Sequence, residues 1–134
     1  MEKSLFKFSV IEDERGALVA LESLKSIPFE IKRVYYIYNV KNSIPRGFHA
    51  HKNLQQMLVC VAGSCKVILD NGKEKKEFIL NQPNQGLFID KMIWREMHDF
   101  SEDCILLVLA SDYYDEDDYI RNYEEFLNEV GNNA

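Results

Sequence analysis

Residues 56–80, QMLVCVAGSCKVILDNGKEKKEFIL, decide the fold. Gln56–Val61 and Cys65–Leu69 are short apolar runs interrupted by Ala62-Gly63-Ser64, and they read as two strands of a hairpin. Asp70-Asn71-Gly72-Lys73 reads as a second reversal, because Asn-Gly supplies the positive φ angles of a tight turn. Outward from this stretch the rhythm repeats. Ala17–Leu21 follows the turn-like Asp13-Glu14-Arg15-Gly16, and Arg33–Val40 (RVYYIYNV) is rich in strand-favouring Val, Ile and Tyr. Glu77–Leu80, Gly86–Ile89, Ile93–Met97 and Cys104–Ala110 complete a series that predicts an all-β sandwich or barrel.

The chain has 134 residues, 46% of them hydrophobic and 28% charged, which suits one globular domain over 1–134. No repeat, linker or composition shift divides it. The longest apolar run, Cys104–Ala110, falls far short of the roughly 20 residues of a membrane-spanning helix. MEKSLFKFSV has no signal-peptide pattern, so the expected compartment is the cytoplasm. Cys60, Cys65 and Cys104 show no CxxC or Cys/His metal spacing, and read as reduced thiols of the core. The net charge of −6 argues against nucleic acid. Five arginines, Arg15, Arg33, Arg46, Arg95 and Arg121, are scattered through strand-like segments. Brought together, they suit one small anionic ligand.

The period changes at the C-terminus. Tyr119, Ile120, Tyr123, Phe126, Leu127 and Val130 recur at three- and four-residue steps, predicting a helix over about 115–130. Asp115 would cap it, Glu116, Asp117 and Asp118 would oppose the helix dipole, and Gly131 would end it. The acidic run thus reads as a helix start, and the helix is expected to pack outside the sheets.

Chemistry concentrates in Pro45–Gly63, PRGFHAHKNLQQMLVCVAG. On a strand His49 and His51 project from one face. Such a pair can ligate a metal, act as an acid and base, or simply be solvated. Gln55 and Gln56 stand where a metal site would want a carboxylate, and a third imidazole could come only from His98. The reading therefore calls for no metal and no cofactor. Arg46 lies three residues before His49, and Arg33 and Tyr35 share a strand face, which outlines a substrate site.

RGFHAH, LQQMLVCVAGSCKVILDNG, WREMHDFS and LASDYYDEDDYIRNY, in that order, resemble the sugar nucleotide 3,4-ketoisomerases, small metal-free cupins acting on dTDP-4-keto-6-deoxyglucose. The resemblance implies a jelly-roll-like cupin β-barrel with a short C-terminal helix. It also implies a reaction that moves a ketone from carbon 4 to carbon 3 through an enediol, in deoxyamino-sugar synthesis. His49 would be the base at carbon and His51 its partner. Arg33 and Arg46 would hold the pyrophosphate, while Tyr35 and Arg121 would meet thymine, Arg121 reaching across a subunit boundary of a homodimer. Gln56 would hydrogen-bond the sugar. His98, Arg95 and Arg15 complete the expected substrate contacts. Family members with a galacto product carry His at the place of Arg95 and Arg at that of Arg15, so two arginines are a mixed pattern that leaves the product configuration open. The competing readings are a metal-dependent oxygenase on His49, His51 and His98, a 3,5-epimerase, and a sugar-nucleotide-binding module without activity. Ser4–Ile11 is expected to add to a partner's sheet.

Overall fold

The computed structural model describes residues 1, 3–41 and 43–132. The strands are β1 (Leu5–Lys7), β2 (Ile11–Asp13), β3 (Gly16–Leu18), β4 (Arg33–Ile37), β5 (Arg46–His51), β6 (Gln56–Ala62), β7 (Cys65–Asp70), β8 (Lys75–Leu80), β9 (Gln85–Ile89), β10 (Trp94–His98), β11 (Ile105–Ala110) and β12 (Tyr119–Ile120), followed by α1 (Tyr123–Asn132). Two five-stranded sheets run β1-β9-β6-β11-β4 and β12-β5-β10-β7-β8, with β2-β3 a separate ribbon. All pairings of these strands are antiparallel. The expected all-β, jelly-roll-like architecture is present as two facing sheets. Among the described residues no helix is long and apolar enough to cross a membrane.

The core lies between the sheets. Leu58 and Cys60 of β6, Val67 and Leu69 of β7, Leu87 and Ile89 of β9, and Leu106 and Val108 of β11 all point into it. Met57 and Val59 point the other way, against Phe8, Ile27 and Phe29 of the N-terminal segment. This is why β6 reads as a continuous apolar run instead of alternating: both of its faces are covered.

Three expectations need correction. β6 and β7 do not form a hairpin, because β6 pairs with β9 and β11 whereas β7 pairs with β8 and β10. Ala62-Gly63-Ser64 is instead the crossing from one sheet to the other. Gly63 sits there at φ +67°, and a Cβ on it would run into Ser101 Oγ and come within 2.8 Å of Cys104 Cα. The hairpin at Asn71-Gly72 does form, joining β7 to β8.

Leu5–Lys7 pairs with Gln85–Leu87 of its own chain, so this run occupies the edge of its own sheet. The predicted helix over 115–130 is broken into three pieces. Asp115 caps a 3₁₀ turn over Glu116–Asp118, Tyr119–Ile120 pairs with Ala50–His51, and only then does the α-helix begin, continuing through Gly131. The reason is tertiary: Ile120 is worth more packed with Ala50, Trp94 and Phe126 than on a helical stripe, and pairing with β5 satisfies its backbone. Phe126 is fully buried and holds α1 on the outer face of β5–β10, as expected.

Candidate active site

β5 supplies the imidazoles. Its pairing with β10 contains a bulge, where His49 lies opposite Arg95 but Gly47 lies opposite Glu96. Gly47 (φ +94°) and Phe48 (φ +56°) absorb the extra residue in left-handed backbone. A bulky residue at positive φ is strained, and here the strain sits beside a reactive side chain. His49 and His51 face the same side, with ring centroids 4.9 Å apart. Tyr119 packs on both rings, at 5.0 Å and 4.4 Å.

Their hydrogen bonds fix the tautomers. His49 Nδ1 lies 3.0 Å from the Gly47 carbonyl, which only accepts, so Nδ1 carries the proton. His51 Nδ1 donates to Asp118 Oδ2 at 3.0 Å, and the other oxygen of Asp118 accepts the Asn53 amide at 2.8 Å. Both Nε2 atoms therefore present a lone pair, and that of His51 is buried with no partner. Burial first, and the Arg95 charge second, lower His49 to about 4 and His51 to about 2. Both rings are neutral bases at physiological pH.

Beside them a cavity of about 520 Å³ opens, within the usual size of small-ligand sites. Its wall includes Arg33, Arg46 and Arg121 with Tyr35, His49 and Tyr119, and no carboxylate. Three arginines lining one cavity of a chain with net charge −6 suit an anionic ligand. Arg121 stacks 4.1 Å over Tyr119 and is held by Glu116 at 3.0 Å, while Arg33 lies over Tyr35 and Tyr114.

Arg95 is wholly buried beneath the imidazoles. It donates to the Gln56 carbonyl oxygen at 2.5 Å and the Ile93 carbonyl at 3.1 Å. Gln56 in turn donates to the Tyr35 hydroxyl oxygen at 3.0 Å. Tyr35 therefore accepts on its oxygen and keeps its own proton free, polarised by a chain that begins at a charge. Burial raises the Tyr35 pKa, so it stays a donor.

The structure thus gathers His49, His51, Arg33, Arg46, Tyr35 and Arg121. Other expected contacts fall elsewhere. Gln56 and Arg95 lie behind the wall, spent on each other and on Tyr35. His98 is on the outer face of β10 with Trp94 and Glu96, bonded to Glu96 at 3.0 Å and packed by Phe48. It cannot join His49 and His51 around a metal, so the oxygenase donor set is not assembled. Arg15 is at the tip of the β2-β3 ribbon, exposed and paired with Asp13 at 2.6 Å. Arg121 lines the cavity of its own chain. Asp118 and Tyr119 are not among the expected contacts, because the local chemistry of their acidic run suits a helix start.

The depressed His49 value fixes an expected pH profile. A base must be neutral, so kcat/KM is expected to hold flat from neutrality to about pH 5 and to fall only towards pH 4. An acidic limb at the ordinary imidazole value near 6.5 would overturn this. Arg95→Gln removes a charge that lowers both rings, and is expected to move the limb upward.

A barrel-like sandwich with an arginine-lined cavity, His49 in its wall and His51 packed against His49, defines a cupin-type enzyme for an anionic substrate. The family model FdtA (WxcM-like, C-terminal) matches residues 1–131. TDP-4-oxo-6-deoxy-alpha-D-glucose-3,4-oxoisomerase of Aneurinibacillus thermoaerophilus is 58% identical over 126 residues, 94% of this chain and 91% of that one. A 3,4-ketoisomerase structure from Helicobacter canadensis is 56% identical with TM-score 0.92, covering 95% of this chain and 96% of the other. The 3,4-ketoisomerase QdtA of Thermoanaerobacterium thermosaccharolyticum, solved as a histidine-to-asparagine mutant with TDP-4-keto-6-deoxyglucose, is 50% identical with TM-score 0.93, covering 96% and 94%. The chain belongs to the FdtA family of sugar nucleotide 3,4-ketoisomerases.

Proposed function

We propose that this enzyme converts TDP-4-keto-6-deoxyglucose into its 3-keto isomer, using the two bare Nε2 atoms of His49 and His51. The carbonyl at carbon 4 acidifies the proton on carbon 3. An imidazole removes that proton, the electrons form an enediol across carbons 3 and 4, a proton is returned to carbon 4, and the oxygen on carbon 3 loses its hydrogen to become the new ketone. Atoms balance with no redox partner. The observation that carries the reading is the pair of neutral imidazoles beside three arginines. Arg33, Arg46 and Arg121 would hold the diphosphate, and Tyr35 would donate to an oxygen of the enediolate.

The Asp118 carboxylate supports assigning the carbon proton to His51 rather than His49, since it fixes that ring with the Nε2 lone pair free. His49, in the cavity wall, then serves the oxygens. The reading is tested by incubation with TDP-4-keto-6-deoxyglucose in heavy water, followed by NMR. The expected product carries deuterium at carbon 4 and a ketone at carbon 3. Label at carbon 5 would mean epimerisation, and unchanged substrate a binding module; either overturns it.

We place the reaction in the cytoplasm, where the free thiols of Cys60, Cys65 and Cys104 persist. We also propose a homodimer. The β2-β3 ribbon exposes Ile11 and Leu18, and the outer face of β4 exposes Val34 and Tyr36, apolar surface that a second copy would cover. Light scattering at micromolar concentration is expected to give two chain masses, and one chain mass would refute it.

A further inference from the structure

We propose that Cys60, Cys65 and Cys104 form a three-thiolate site for one soft trivalent ion, of which arsenite is the aqueous representative. The three Sγ atoms all lie within 4.8 Å of one another, and Cys60 and Cys104 are 3.7 Å apart. Each residue is about 1–2% exposed. Their sequence positions give no hint of this, since the cluster is made by the crossing between sheets. Cys60 lies near the end of β6 in one sheet, Cys65 opens β7 in the other, and Cys104 immediately precedes β11.

Magnitudes separate the possible fates of such a cluster. A disulfide needs its sulfurs about 2.05 Å apart, so Cys60 and Cys104 would have to close by well over an ångström in a packed core. Three sulfurs bonded to one ion at about 2.3 Å stand roughly 3.5–4 Å apart, against 3.7 Å for Cys60–Cys104 and no more than 4.8 Å for the other pairs. The ion needs less rearrangement than the disulfide.

Charge then selects the ion. Leu80, Phe100 and Leu106 share the cluster's core, with the Ala62 carbonyl 3.1 Å from Cys60 Sγ. Among the described residues no His, Asp or Glu brings a further ligand atom to the three sulfurs. Three thiolates with a divalent ion leave a buried negative charge, and zinc also wants a fourth donor. Three thiolates with a trivalent ion are neutral. The exchange balances without oxidant: arsenous acid gives up three hydroxyls, the thiols give up three protons, three As–S bonds form and three waters leave. Beside the cluster, Ser101 of the Ser101–Asp103 turn holds Ser64 across the crossing.

The site is remote from the chemistry. Cys60 is four residues from Gln56 along β6, roughly 13 Å of strand. Binding is therefore expected to tie the sheets together without blocking turnover.

The test uses the reduced full chain. Incubation with sodium arsenite and desalting is expected to leave one arsenic per chain. X-ray absorption should show three sulfur neighbours and no oxygen, and the thermal midpoint should rise. The chain has only three cysteines, so three sulfurs identify the site. Single Cys60→Ser, Cys65→Ser or Cys104→Ser variants are expected to lose retention by at least the roughly 10–100-fold that even outer partners of metal sites carry. Oxygen neighbours, no retained arsenic, retention unchanged in the variants, or retention of Zn(II) but not arsenite would each overturn the proposal. The absorption measurement on the unaltered protein decides it even if a variant fails to fold.

Discussion

His51→Asn is expected to lower kcat by roughly a thousand-fold, within the range that a positioned general base supplies. The substitution is informative because of what it keeps. The asparagine amide nitrogen stands near the place of Nδ1, so it can still donate to Asp118 Oδ2, and only the Nε2 lone pair is removed. His49→Asn works the same way against the Gly47 carbonyl. Neither change touches Arg33, Arg46 or Arg121, so affinity for TDP by calorimetry should stay within a few-fold. If His51 takes the carbon proton, exchange of substrate hydrogen with heavy water should vanish in His51→Asn and survive in part in His49→Asn. Near-normal turnover in His51→Asn would remove it from the chemistry.

Asp118→Asn is expected to cost a hundred-fold or more in kcat with little effect on TDP binding. Its two oxygens are both in use, one accepting from His51 Nδ1 and one from the Asn53 amide. An asparagine has one oxygen for two donors. If that oxygen stays with the Asn53 amide, its NH₂ faces His51 and drives the imidazole into the other tautomer, placing a hydrogen on Nε2 where a lone pair is required. Comparable tautomer reversal in a Ser-His-Asp triad costs about 10⁴-fold. Asp118→Glu, which keeps the charge, should recover part of the loss; a purely structural role for Asp118 would lower stability and leave kcat of the folded fraction unchanged.

Strand content was legible because apolar runs of this length bounded by Gly, Asn and Asp have few other uses, and β7–β8 follow directly from Asn71-Gly72. His49 and His51 were legible from the two-residue period of a strand, and Arg33 with Tyr35 for the same reason. Asp118 was not. It lies 67 residues from His51, inside an acidic run whose local chemistry suits a helix start equally well. His98 and Arg15 looked as eligible as Arg33 until the pairing of β10 and the isolation of β2-β3 placed them on other surfaces.

Local order, then, was the sequence's own work: which segments are extended, where they turn, and which side chains share a strand face all follow from neighbours a few residues apart. Only the tertiary structure decided which strands share a sheet, that Asp118 orients His51, that Arg95 is sunk beneath the imidazoles instead of reaching into the cavity, and that three distant thiols meet. Those outcomes depend on burial and on charges brought close by the crossing of the chain between sheets, and no spacing within one segment encodes them.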